Sequence, residues 1–261
     1  MAFKIESYRV DGKVAIVTGA GGRGNSIGRA YALGLAGAGA AVVVADLNGE
    51  GAKKVADEIV ASGGKAIAVQ VDITDRDSVA AMAAQAKAEF GGVDILVNNA
   101  ALMTELSYEP LISTSIDTWN RTLDVNVTGA LNCAQAVVPL MVERGGGKIV
   151  NQVSGGAYPP KTLYGISKIA LVGLTTTLAY ELGRQGINVN AIAPGNTNSD
   201  AGASLTPVGS PFRTMLENTV AMRVQGEPDE LVGALLLLCS PAGDWITGQT
   251  LKVDGGWIVA P

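Results

Sequence analysis

The sequence predicts an α/β fold: one parallel sheet of about seven strands, doubly wound, with helices on both faces. Three observations predict it. Short apolar runs rich in β-branched residues recur along the chain, longer segments of helical pattern separate them, and a glycine-rich loop after the first run opens directly into a helix. Strands buried on both faces read as nearly continuous apolar runs, and helices between them supply the crossovers a parallel sheet needs. Right-handed crossovers wind such a sheet in two directions from its middle.

Taken in order, Val14–Thr18 is the first strand, followed by a helix over Ile27–Gly37. Ala41–Ala45 and Ala66–Val71 are the next strands, with helices over Gly51–Ala61 and Asp75–Phe90. Ile95–Asn98 is the fourth strand, and one long helix is expected from Ser115 to Glu143. Lys148–Val153, Asn188–Ala193 and Thr250–Val253 complete the sheet, with helices over Leu163–Leu182, Pro211–Met222 and Pro228–Cys239. Asn196–Ser210, broken by Gly202, Pro207 and Gly209, is the long irregular segment, and a loop of this kind in a compact domain is usually functional or mobile. No repeat or linker divides residues 1–261, so a single domain is expected.

Composition excludes several function classes. Hydrophobic residues make up 48% of the 261 residues and charged residues 16%, which is not the balance of a disordered chain. The net charge of −5 comes with no basic run, so nucleic acid is not an expected partner. The chain has no histidine, which removes His-based triads and the usual His-containing zinc sites, and no metal is expected. Cys133 and Cys239 lie in apolar helical patterns and read as buried thiols rather than a disulfide. The first ten residues lack an apolar signal region, and no run of about 18 uninterrupted apolar residues occurs. The expectation is a cytoplasmic protein with no membrane partner.

The loop Thr18-Gly19-Ala20-Gly21-Gly22-Arg23-Gly24-Asn25-Ser26-Ile27-Gly28 joins the first strand to the first helix. Glycine lets the backbone approach a pyrophosphate, and the helix's free N–H groups and positive end hold the anion. Gly19, Gly21, Ser26 and Ile27 are the candidate contacts; a plain tight turn is the alternative. Asp46, with Leu47 beside it, ends the second strand where a ribose would present its hydroxyls. Its carboxylate would repel a 2′-phosphate, which favours NAD over NADP, although Arg23 offers a positive charge to such a phosphate. Asp72 and Ile73 follow the third strand; Asp72 either meets an adenine amino group or caps a helix with Thr74. Asn99, Ala100 and Ala101 follow the fourth strand, where small residues leave room for a cofactor and Asn side chains can tie neighbouring backbones.

Tyr164 and Lys168 are four residues apart and share one helix face. A phenol titrates near 10, and a neighbouring ammonium stabilises its phenolate, so the pair can serve as a proton-transfer device or be an ordinary surface pair. Ser154 lies at the carboxyl end of the fifth strand, where its hydroxyl can hold a substrate oxygen or cap a turn. Asn126 sits inside the long predicted helix, at a cost in propensity that hints at a specific role, unless it lies on an exposed face.

Together and in this order, these strings resemble the classical short-chain dehydrogenase/reductase family, from Lys13-Val14-Ala15-Ile16-Val17-Thr18-Gly19 to Val253-Asp254-Gly255-Gly256. The resemblance implies a Rossmann-like domain with catalytic Asn126, Ser154, Tyr164 and Lys168. It implies that Tyr164 exchanges a proton with the substrate oxygen while hydride moves to or from nicotinamide. Lys168 would also hold the ribose hydroxyls, and Asn126 would place a water in a proton relay. Pro194, Gly195, Thr197 and Ser199 match the segment that holds the carboxamide. A homotetramer is implied as well. Three departures stand out. The glycine loop is about three residues longer than usual, with Ser26 where glycine is common, as in enoyl reductases, although only three residues separate Tyr164 from Lys168 here. Ser154 lies closer to Tyr164 than is usual. Ala101 and Thr197 replace a glycine and an aliphatic residue.

The expected activity is oxidation of a secondary alcohol, or reduction of its ketone, with NAD(H). A 3-oxoacyl-thioester reductase using NADPH is the alternative enzyme, which Asp46 and the acidic balance disfavour; a non-catalytic dinucleotide sensor is the non-enzymatic alternative. Met103, Ser154, Tyr158 and Tyr164 are the substrate candidates, with Leu102, Gly155 and a mobile loop around 196–225. Met103, Leu205 and Phe212 point either to an apolar, ring-containing substrate or to loop packing.

Overall fold

The computed structural model describes residues 4–22, 24–103 and 110–259. Arg23 lies outside them. Seven strands form one sheet: β1 Val14–Thr18, β2 Ala41–Asp46, β3 Lys65–Gln70, β4 Ile95–Asn98, β5 Gly147–Gln152, β6 Ile187–Pro194 and β7 Thr250–Val253. Their order is β3-β2-β1-β4-β5-β6-β7, and every pairing is parallel. The chain winds one way from β1 to β3 and the other way from β4 to β7, so the direction reverses between β1 and β4.

Alternation within the strands makes two apolar layers. Ala15, Val17, Val42, Val44, Val97 and Val150 face one side. There they meet helices α1 (Ile27–Gly37), α2 (Gly49–Ala61) and α9 (Val232–Cys239) through residues such as Tyr31, Leu35, Ile59 and Leu235. Ile16, Val43, Leu96, Ile149 and Val189 face the other side. There they meet α3 (Arg76–Phe90), α5 (Gly129–Glu143) and α6 (Leu163–Leu182) through Met82, Val137, Met141 and Leu182. The helical segments Ile116–Glu143 and Leu163–Gln185 are long and apolar enough to cross a bilayer by length and composition. Both carry residues that pack into the protein core, which accounts for their hydropathy. Cys133 and Cys239 are buried free thiols, as expected, and burial pushes each up to about 12.

The expected helix from Ser115 to Glu143 is interrupted. Ser115 caps α4 (Ile116–Leu123), a π-helical turn spans Asp124–Thr128, and α5 continues to Glu143. Such a turn widens the helix locally, is often found at functional sites, and here carries Asn126. The irregular segment after β6 contains a short helix, α7 (Asp200–Leu205). Helix α8 (Pro211–Thr219) ends three residues before Met222, and the last helical stretch begins with a 3₁₀ turn at Pro228–Leu231.

Candidate active site

The strand ends bring the expected ligand groups to one edge of the sheet, around the point where winding reverses. This is where open α/β sheets bind ligands. Gly19 leaves β1 at φ +66°, and a Cβ there would lie 2.7 Å from Ala100 Cα. A Cβ on Gly28 would lie 2.2 Å from the Gly19 carbonyl, so only glycine lets the helix start this close to the strand. Asn99 fixes the other wall: its Nδ2 donates to the carbonyls of Thr18 and Gly19, 3.0 Å each. Thr18 Oγ1 accepts from the backbone N–H of Asn99 and Ala100 at 3.1 and 3.2 Å. Ser26 caps α1, accepting from Arg29 N at 3.2 Å, and Ile27 opens the helix. A flat glycine backbone at the positive end of a three-turn helix fits a pyrophosphate.

Asp46 Oδ2 accepts from Gly21 N and Oδ1 from Asn48 N, both at 2.8 Å. The carboxylate thus holds the glycine loop and stays at the end of β2, with Leu47 66% exposed beside it. Asp72 Oδ1 accepts from the backbone N–H and hydroxyl of Thr74 at 2.9 and 2.7 Å. This is a local Asx turn and not the helix cap of the alternative reading, because the cap of α3 is Asp75. Ile73 is buried, with its side chain against Gly129, and its carbonyl accepts from Asn132 Nδ2 at 3.0 Å. Its side chain therefore belongs to the core.

Asn126 is 1% exposed. Its Oδ1 accepts from Leu102 N at 2.7 Å, and its Nδ2 donates to Leu102 O and Ser167 Oγ at 3.0 Å each. Both amide protons are engaged, so the residue ties the chain after β4 to α6, and one Oδ1 lone pair remains for a water. Ala101 and Met103 flank the tethered Leu102. Ser154 Oγ accepts from Gly156 N at 3.1 Å and keeps its own proton to donate.

On α6, Lys168 Nζ lies 5.5 Å from the centroid of the Tyr164 ring. Lys168 is 1% exposed, and burial pushes its ammonium down from 10.5 to about 7. Its Nζ donates to the Gln152 carbonyl at 2.8 Å. That acceptor exists because β4 stops pairing at Asn98↔Asn151, one residue earlier. Tyr31 OH in turn donates to Gln152 Oε1 at 2.8 Å. Gln152 carries no motif that sequence reading could have picked out.

Pro194 ends β6, and its carbonyl accepts from Gly155 N at 2.8 Å. Gly195 N donates to Val253 O at 3.0 Å. Thr197 is buried, and its hydroxyl donates to Gly195 O at 3.2 Å, which leaves lone pairs to accept from an amide. Ser199 caps α7, accepting from Gly202 N at 3.0 Å. Tyr158 packs on the cluster of Val153, Leu171, Ala191 and Ala193, with Lys252 Nζ 5.5 Å from its ring centroid. Packing thus accounts for much of its ring. The aromatic residue missed by sequence reading is Trp257: a Cβ on Gly155 would lie 2.6 Å from its Cζ3. Phe212 meets Trp257 edge-on, with centroids 6.2 Å apart. Gly155, beside Ser154, was the one sequence signal that something large lies close.

A family model described as "Enoyl-(Acyl carrier protein) reductase" matches residues 22–258. An uncharacterized oxidoreductase of Mycobacterium tuberculosis (strain H37Rv) is 46% identical over 249 residues, covering 95% of this chain and 98% of that one. A solved 7α-hydroxysteroid dehydrogenase, complexed with NADH and 7-oxo glycochenodeoxycholic acid, superposes with a TM-score of 0.90 at 38% identity over 98% of both chains. A gluconate 5-dehydrogenase from Burkholderia cenocepacia, in complex with NADP and tartrate, superposes with a TM-score of 0.89 at 36% identity, covering 98% of this chain and 99% of that one.

Proposed function

The chain belongs to the classical short-chain dehydrogenase/reductase family, whose members among its relatives are oxidoreductases acting on CH–OH groups with a nicotinamide dinucleotide; from this premise we propose that it is an NAD-linked dehydrogenase of a secondary alcohol or its ketone. The observation that carries the proposal is the Tyr164–Lys168 pair: a buried amine one helical turn from a phenol, at the sheet edge that also holds the glycine loop.

The residues proposed to hold the dinucleotide are the glycine loop with Ser26 and Ile27 for its pyrophosphate, Asp46 and Leu47 for its adenosine ribose, and Asp72 and Ile73 near the adenine. Asn99, Ala100 and Ala101 form the floor, and Pro194, Gly195, Thr197 and Ser199 flank the carboxamide. The bound group supplies a hydride acceptor or donor. Ser154 donates to the substrate oxygen and fixes it beside the Tyr164 hydroxyl. Tyr164 takes the proton of an alcohol, or returns it to a ketone oxygen. An amine pushed down to about 7 can change charge near neutral pH, and its ammonium form favours a phenolate beside it. Asn126 holds the tethered Leu102 against α6, which keeps Tyr164 in register with the floor, and its remaining lone pair can hold a water toward Lys168.

Asp46 favours NAD, because a 2′-phosphate would meet a carboxylate already anchored by two backbone N–H groups. Trp257, Phe212 and Met103 favour an apolar, ring-containing substrate. A 3-oxoacyl-[acyl-carrier-protein] reductase of Synechocystis, 36% identical over 252 residues, favours a second reading, a 3-oxoacyl-thioester reductase using NADPH. The net charge of −5 and Asp46 oppose it. A cytoplasmic homotetramer is proposed. Tyr180 and Trp245, 91% and 98% exposed, are the apolar surface such an assembly would bury.

The test is a screen of secondary alcohols with NAD and with NADP, followed at the absorbance of the reduced nicotinamide. Turnover of a cyclic alcohol with NAD is expected. Turnover confined to acyl thioesters with NADPH would select the second reading.

A further inference from the structure

In the lengthened glycine loop, Asn25 has a partner in the segment that follows β6. Asn25 Nδ2 donates to the carbonyl of Asn198 at 2.6 Å, and Asp200 N donates back to the carbonyl of Asn25 at 2.9 Å. The first of these bonds joins residues 173 positions apart in the chain. One side belongs to the loop that leaves β1; the other belongs to the segment that leaves β6 through Pro194 and Gly195.

The β6 side is held firmly from behind. Asn198 N donates to Gly226 O at 2.7 Å, and its Nδ2 donates to Glu227 Oε1 at 3.0 Å. Gly226 N donates to Asn196 O at 3.0 Å, and Thr197 pairs with Gly226 in a parallel bridge. The Asn198 carbonyl is therefore a fixed acceptor. The β1 side fits it closely: at Gly24, φ is +119° and a Cβ would lie 3.0 Å from Asp200 Oδ2, so a larger residue would press the two loops apart. Asn25 is exposed and supports no core, so its amide has no packing role to explain it.

We infer that Asn25 is a positioning residue that clasps the glycine loop to the 198–200 segment over the dinucleotide crevice and so slows release of the bound nucleotide. The inference rests on the proposed dinucleotide site. A dinucleotide lying from the glycine loop to the Pro194–Ser199 segment would pass beneath this bridge, and its exit would require the bridge to part. Asn25 touches no reacting atom in this scheme. It acts by holding together the two loops that grip opposite ends of the nucleotide.

The test is nucleotide dissociation by stopped-flow fluorescence. NADH or NADPH, whichever the parent binds, is displaced by excess oxidised dinucleotide from the parent, Asn25→Ala and Asn25→Asp. Loss of one hydrogen bond predicts a dissociation rate about 3- to 10-fold faster for Asn25→Ala. Asn25→Asp should be at least as fast, because a carboxylate would face the Asn198 carbonyl and the Asp200 carboxylate. Rates within 1.5-fold of the parent in both variants, with or without a lowered melting temperature, would overturn the clasp and leave the dinucleotide site standing. Failure of the parent to bind either dinucleotide would overturn both.

Discussion

Replacing Lys168 with methionine should abolish turnover yet make the protein more stable in mild acid, and the gain should disappear as the pH rises. Lys168 is buried, and its ammonium is pushed down from 10.5 to about 7 by burial. At about 1.4 kcal/mol for each tenfold change, holding the charged form inside the fold costs about 5 kcal/mol. The sign follows from linkage. A depressed lysine contributes its full relative stability only above its unfolded value of 10.5, and loses it progressively as the pH falls to about 7. Below that the whole penalty applies. Methionine removes the charge but leaves the Gln152 carbonyl without its donor, which returns about 1–3 kcal/mol. The net gain is about 2–4 kcal/mol at pH 6. By pH 9 only about 2 kcal/mol of penalty remains, and the unpaired carbonyl offsets it. Parent and Lys168→Met should be melted side by side at pH 6 and pH 9. The variant should melt about 5–15 °C higher at pH 6 and close to the parent at pH 9. An equal difference at both pH values, or a variant that is less stable at pH 6, would refute the claim that desolvation governs this amine.

Three further outcomes follow from the same geometry. Asp46→Ser removes the charge that opposes a 2′-phosphate, and the ratio of NADP to NAD in kcat/KM should rise about 10- to 100-fold; because Gly21 N and Asn48 N also lose their acceptor, NAD affinity should fall as well, and an unchanged ratio would count against the ribose role. Trp257→Ala takes away the wall over Gly155, so KM for cyclic alcohols should rise about tenfold while KM for NAD stays put, as steady-state kinetics with both substrates will check. Asn126→Ala leaves the N–H and carbonyl of Leu102 without their partner, so it should lower stability by about 2–4 kcal/mol in denaturant unfolding and reduce kcat, whereas an unchanged midpoint would show that the tether is dispensable.

What was legible in the sequence follows the range of the forces involved. The strands were readable because burial on both faces leaves runs such as Val14–Thr18 almost without polar residues. Tyr164 and Lys168 were readable as a pair because four residues on a helix fix a face without help from the rest of the chain. The proposed tether of Asn99 to the backbone of β1 was readable because the two strand ends are neighbours in the sheet. Contacts between distant segments were not. Trp257 meets Gly155 only after β7 is laid beside β6, and Asn25 meets Asn198 only once both loops stand at the same sheet edge. The cost of Asn126 in a helix hinted at a specific role, but the π turn at Asp124–Thr128 that interrupts the expected helix, and the partner of Asn126 on the backbone of Leu102, are not revealed by local pattern. Asp72 had two readings because a helix cap and an adenine contact use the same carboxylate; the cap fell instead to Asp75, and Asp72 closes a local turn with Thr74.

The central claim is that the Tyr164 phenol moves the proton. Parent and Tyr164→Phe should be compared for reduced-dinucleotide binding by fluorescence and for turnover of the best alcohol from the screen between pH 6 and 9. The account predicts that Tyr164→Phe binds the dinucleotide within about threefold of the parent and loses about 10²- to 10⁴-fold in kcat at every pH. Parent kcat/KM for oxidation should climb with pH as the base form accumulates. A Tyr164→Phe enzyme that keeps the parent's kcat and pH profile would contradict it.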